Sequence, residues 1–308
     1  MRSPEGEARR ILLSSGGLVL AIFGGLVAGA GLGLDDGASR IGIPALALQT
    51  FLTVGGIPRR RGSAGVRAGL VLTGLHYTAA TLPLVAVAAI VGFREPIGFG
   101  LLLVAIAPPA ALIPTFAARI GADVRSVLAF CLFAYAVGLV LTPLVLFLVA
   151  GSTVGIGAIA TTAGVGFVAP TVLGRLLHEQ IVRVPEAWRR RIVNAAVFLI
   201  CLGVGGELLG GIGAAGVGLV PVALVSLAIT GRSFLSGWLV ARVAPRELLE
   251  EAPFAGGFKN VALAAAVGAA LGGPVAALPG LVGFVAETLY FIWLVLRSAR
   301  SAARRGAT

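Results

Sequence analysis

Apolar residues run along this chain in long uninterrupted stretches, parted by short breaks that hold nearly all of its charge together with glycine and proline. A helix needs about 20 apolar residues to cross the hydrocarbon of a bilayer. Ten stretches approach that length, at 11–34, 41–57, 68–91, 97–118, 124–149, 156–177, 192–209, 214–241, 254–271 and 275–296. The pattern predicts an all-α integral membrane protein with ten transmembrane helices. The first stretch is read as a span and not as a cleaved leader, because it is long and no small-residue cleavage pattern dominates its end.

Composition agrees with the pattern. Of 308 residues, 58% are hydrophobic and 12% are charged, against about 25% charged in an ordinary soluble domain. A soluble fold has too little charge here to clothe its surface, and a disordered chain would be far less apolar. A formal net charge of +11 raises the question of nucleic acid. A binder of that kind gathers its basic residues on one face, whereas these lie in the breaks between apolar runs and act as topology signals, so no nucleic-acid partner is expected. Of the 24 Lys and Arg residues, only Arg40 and Arg94 fall on one side of the predicted membrane, where Asp35, Asp36 and Glu95 also lie. Arg232 and Lys259 lie deep within spans, and all the others, with Arg175 at the end of its stretch, fall on the opposite side. The positive-inside rule makes that side cytoplasmic. The expectation is a multi-pass protein of the cell membrane, with the lipid bilayer as solvent and both termini cytoplasmic. Cys131 and Cys201 sit inside apolar runs and are read as packing residues, not as a disulfide framework.

The loop at 151–155 divides the chain into residues 1–150 and 151–308, each with five spans. Five is odd, so two related halves must lie in opposite orientations, the inverted-repeat plan in which the substrate site forms where the repeats meet. The fourth span of each half carries helix breakers. In the first half these are Pro108, Pro109 and Pro114, the last followed by Thr115; in the second half the stretch runs from Pro253 through Gly256 and Gly257 to Lys259 and Asn260. Proline lacks an amide donor and clashes with the preceding turn. Freed backbone groups at membrane depth survive only where protein or a water-filled cavity satisfies them, so paired breaks mark a binding site. Plain proline kinks packed by neighbouring helices are the other reading of the same residues.

Four charged side chains fall within spans: Glu207, Arg232, Lys259 and Glu287. Arg232 and Glu287 each lie ten residues before a cytoplasmic arginine, Arg242 and Arg297, which places both roughly 15 Å deep, where they are able to pair. Lys259 lies in the broken helix itself, eight residues past Glu251 and so about 12 Å in. Glu207 is placed near the outer end of its span. Buried charge is costly and points to function by default, although a structural ion pair for Arg232 and Glu287 and a gluing role for Lys259 stand as alternatives. His76, in the third span, is either a packing histidine or a proton relay. No metal-ligand spacing, phosphate loop or nucleophile motif is present, so no enzymatic activity, metal or cofactor is expected.

The stretches 107–143 and 237–279, with ten spans in two inverted halves, resemble the bile acid:sodium symporter family and its wider superfamily. That resemblance implies a panel domain of spans 1, 2, 6 and 7 and a core domain of spans 3, 4, 5, 8, 9 and 10, with discontinuous spans 4 and 9 crossing. The family holds two sodium ions through oxygen ligands. An ungapped alignment puts Ile113 and Pro114, Val127 and Cys131, Ala255 and Lys259 where the family has those ligands, and retains Asn260. Hard cations require oxygen. The resemblance with this departure implies a sodium-independent transporter of a small organic anion, proton-linked if Lys259 titrates. A transport-inactive sensor or structural membrane subunit, and a symporter using other sodium ligands, are the alternatives.

Overall fold

The computed structural model describes residues 4–32, 41–57, 64–150, 164–215 and 219–304, and within them it is helical with no strand. The helices are α1 (Pro4–Leu32), α2 (Ile43–Gly55), α3 (Ala64–Tyr77), α4 (Leu82–Val91), α5 (Pro96–Ile106), α6 (Ile113–Ile120) and α7 (Val124–Ala150). After the interval at 151–163, which with the loop 151–155 lies outside the described residues, come α8 (Ala169–Leu176), α9 (His178–Arg183), α10 (Glu186–Ala215), α11 (Leu219–Val243), α12 (Ala252–Gly257) and α13 (Val261–Arg304). Four stretches among the described residues are long and apolar enough to cross a membrane: Ile11–Leu32, Gly65–Val91, Val124–Val149 and Leu271–Ala303. With a mean hydropathy of +1.01, the chain is a helical, membrane-embedded protein.

Two groups of helices pack side by side. In one, α1 lies along α10 and α2 lies against α8 and α10; in the other, α3 packs on α7, α5 on α13, and α11 on α12 and α13. Small residues let these helices approach. A Cβ on Gly29 would collide with the Leu202 carbonyl, and one on Gly205 with the Leu26 carbonyl. Without a hydrophobic drive between helices in lipid, such close backbone contact is what holds them together. Gly29→Ala is therefore expected to destabilise the protein by about 1–3 kcal/mol, as overpacking does. Thermal unfolding in detergent reads the loss, and an unchanged midpoint would show that α1 and α10 do not depend on that contact.

The helix breaks position the site. Between α5 and α6 the chain is non-helical through Pro108 and Pro109, while Pro114 sits in the first turn of α6, where its missing amide costs nothing. Between α12 and α13 it is extended at Phe258. Both breaks fall where the proline and glycine clusters place them. A third break, at 78–81, interrupts what the hydropathy pattern reads as a single run at 68–91. Its cause is local: the hydroxyls of Thr78 and Thr81 donate back to the carbonyls of Gly74 and His76, at 2.7 and 2.8 Å, and Pro83 starts the new helix α4. Within the range α13, residues 261–272 and 274–304 are two helices that turn sharply at Gly273 (φ 77°, ψ −175°) and fold back on each other, since a Cβ on Gly268 would meet the Ala276 carbonyl and one on Gly280 the Val261 carbonyl.

Candidate functional site

The breaks at 107–112 and 258–260 touch. The Asn260 amide donates to the Pro108 carbonyl at 2.6 Å, which gives each broken segment a partner it lacks within its own helix. The Asn260 side chain faces two ways: Oδ1 accepts the Leu263 amide at 3.1 Å, capping the first turn of α13, and Nδ2 donates to Tyr135 Oη at 2.9 Å.

Arg232 and Glu287 pair at 2.9 Å, both nearly shut off from solvent. Their remaining bonds go to the same break. Arg232 Nη1 donates to the Gly257 carbonyl, the last of α12, at 3.2 Å, and Glu287 Oε1 accepts the Lys259 amide at 2.7 Å. The pair thus brackets residues 257–259 and supplies the donor and acceptor that the interrupted helix cannot. Arg232 Nε is buried with no hydrogen-bond partner among the described residues.

Lys259 is fully buried. Its Nζ donates to Thr81 Oγ1 at 2.7 Å and to His76 Nε2 at 3.0 Å, with the His76 carbonyl at 3.5 Å and the Tyr77 ring centroid at 5.4 Å. The histidine tautomer follows from its partners. Nδ1 lies 2.8 Å from the Ala255 carbonyl, an acceptor only, and with a protonated Lys259 3.0 Å from Nε2 the proton is assigned to Nδ1, leaving the Nε2 lone pair to the lysine. His76 Nε2 also lies 3.3 Å from the Ala107 carbonyl. The lysine therefore reaches from its own break to the one at 78–81, and His76 touches the edge of the break at 107–112.

Beside this cluster lies a cavity of about 80 Å³. The turns that begin α6 and α13 line it, at 110–112 and 260–262, with Phe116, Phe284, Lys259, Glu287 and Thr288 and, from the other helix group, Ile22, Leu46 and Ile200. Two helix N-termini carry partial positive charge toward the same space. His76 and Thr81, which hold the lysine nitrogen, do not line it.

Of the residues singled out in the sequence, Lys259, Asn260 and Glu287 line this cavity, and His76, Arg232 and Pro108 bond directly to those three. Pro109 lies in the break and Pro114 in the first turn of α6. Thr115 points elsewhere: its hydroxyl bonds to Gln49 and, at 2.8 Å, to Thr53, and it lines a larger second cavity. The Glu207 side chain lies outside the described residues. Sequence reasoning missed Thr81, Tyr135 and Gln49. Gln49 is the only amide in its apolar stretch and carried a usable signal; the two hydroxyl residues are unremarkable until the fold brings them to Lys259 and Asn260.

No family model matches the chain, and no curated protein matches it in sequence.

Proposed function

We propose that the protein is a secondary transporter of a small organic anion, working by alternating access and without sodium. It has ten transmembrane helices in two inverted five-helix repeats, 1–150 and 151–308, with both termini cytoplasmic, on the plan of the bile acid:sodium symporters. The observation that carries this reading is the buried Lys259 ammonium, held where helix breaks meet, beside a cavity faced by the N-terminal turns of α6 and α13. Discontinuous helices whose positive ends address one space are the arrangement that anion carriers use.

Lys259 is the charge that a coupling cation would otherwise provide. In the present conformation its three protons are directed at Thr81 and His76, and the cavity, at about 80 Å³, is far below the 300–1,000 Å³ of ordinary ligand pockets. This is a closed state. An anion admitted by separation of the two helix groups draws the ammonium from His76 and Thr81, which loosens the tie between the break at 78–81 and the break at 258–260. His76 Nε2, relieved of the lysine, is the nearest acceptor for a proton, so proton coupling is part of the proposal. Arg232 and Glu287 hold the break in shape throughout.

The test is thermal stability of the purified chain in detergent against a panel of organic carboxylates and sulfonates, in sodium and in choline buffers. A ligand of the folded state stabilises it by RT ln(1 + [L]/Kd), so even weak binders register at about tenfold excess. The expected result is an anion whose effect is equal in both buffers. Stabilisation by sodium alone would overturn the sodium-free mechanism.

A further inference from the structure

The second cavity, of about 700 Å³, opens beyond the layer formed by Gln49, Thr53 and Thr115. Four arginines line it, Arg119, Arg125, Arg189 and Arg190, against two carboxylates, Asp123 and Glu186. Asp123 is committed to the start of α7, where Oδ1 accepts the Arg125 amide at 3.2 Å and Oδ2 the Ser126 hydroxyl at 2.7 Å. Glu186 is largely exposed and stands 3.7 Å from Arg190 Nε. Arg119 differs from the surface arginines in being 8% exposed, with Nη2 donating to Asn194 Oδ1 at 2.8 Å and no carboxylate paired with it among the described residues. A third cavity of about 640 Å³ shares Arg119 and Arg190 and adds Arg9 and Arg191.

The large cavity and the small one lie in register on two helices. Along α2, Leu46 lines the small cavity, Gln49 forms the layer between and Thr53 lines the large one; along α10, Ile200 lines the small cavity and Val193 the large one. Seven residues of helix separate each pair, about 10 Å. One polar layer therefore stands between a roomy basic chamber and the closed cavity beside Lys259.

We infer that the basic chamber is a second anion site, in which a carboxylate or sulfonate binds to the Arg119 guanidinium before it passes the Gln49–Thr53–Thr115 layer. A planar fork of donors suits an oxyanion, and the chamber has the volume of an ordinary ligand pocket. The onward passage rests on the transporter reading above; the site itself does not.

Ala118 lines the chamber, is exposed and precedes Arg119, while Cys131 and Cys201 are buried. Labelling of Ala118→Cys in the full chain, in detergent, with a sulfonate-bearing and an ammonium-bearing methanethiosulfonate of equal length reads the chamber's charge. With each rate divided by that reagent's rate toward a free small thiol, the sulfonate is expected to be favoured at least about tenfold, the lower range for a cleft whose net charge has one sign. The advantage should fall severalfold in Arg119→Gln, persist in Arg119→Lys, and be competed by benzoate more than by equal chloride. Equal rates, a preference for the cation, or a ratio indifferent to Arg119→Gln would overturn the site. Suppression by anionic phospholipid but not by benzoate would assign the arginines to a headgroup and overturn it too. Lys259→Met is expected to leave the preference intact. A preserved preference with no anion stabilisation at the inner cavity would sink the transporter reading alone.

Discussion

Glu287→Ala is expected to cost about 3–5 kcal/mol of stability, the scale for removing one partner of a buried ion pair. Three losses coincide. Arg232 keeps its charge with no counter-ion, the Lys259 amide loses its acceptor at 2.7 Å, and a cavity opens beside Phe284 and Thr288. Replacing both Arg232 and Glu287 with apolar residues, which in many proteins relieves the penalty, is expected to help only in part here. The Gly257 carbonyl and the Lys259 amide would still lie buried without partners, at about 1–3 kcal/mol each. Glu287→Gln keeps an acceptor for the amide and should fall between wild type and Glu287→Ala. Denaturant or thermal unfolding in a single detergent measures the series. A cost under about 1 kcal/mol for Glu287→Ala would contradict the bracketing role of the pair, because an intact bracket leaves no route to so small a loss.

Lys259→Met should have the opposite signature. The substitution removes a buried ammonium and keeps an unbranched apolar stem, and apolar replacement of buried charge is often neutral or stabilising. His76 retains its bond to the Ala255 carbonyl and Thr81 retains the His76 carbonyl, so little of the surrounding polar network is orphaned. Anion binding, in contrast, loses its charged donor, worth about 1.5–3 kcal/mol or ten- to a hundredfold in affinity. Stability preserved with binding lost separates a functional lysine from a gluing one. The reverse outcome, a chain that unfolds but binds anions normally in its folded fraction, would make Lys259 structural.

The helical, membrane-embedded character of the chain was legible because apolar run length and sparse charge are one-dimensional properties. The breaks at Pro108 and Pro109 and at Gly256 to Lys259 were legible for the same reason, since proline and glycine act on their own turn of helix. The break at 78–81 was not, because threonine and a proline one residue into a helix look alike whether the helix is new or continuing. Arg232 and Glu287 were placed at similar depth from their spacing to Arg242 and Arg297, and the structure joins them. What depth does not reveal is that both also bond to the backbone at 257–259. Thr115 stands beside the prolines in sequence, between Leu112 and Phe116 that line the inner cavity, yet its side chain lies on the other face of α6, which meets Gln49 and Thr53. The lysine's partners, His76 and Thr81, are far from it in the chain, and contact across 183 and 178 positions leaves no trace in composition or period.

The most direct test of the central claim is uptake of the stabilising anion into proteoliposomes, with external sodium replaced by choline, for wild type and Lys259→Met. The expected result is uptake that is unchanged by the replacement and lost with the lysine. Uptake that requires sodium and survives Lys259→Met would contradict it.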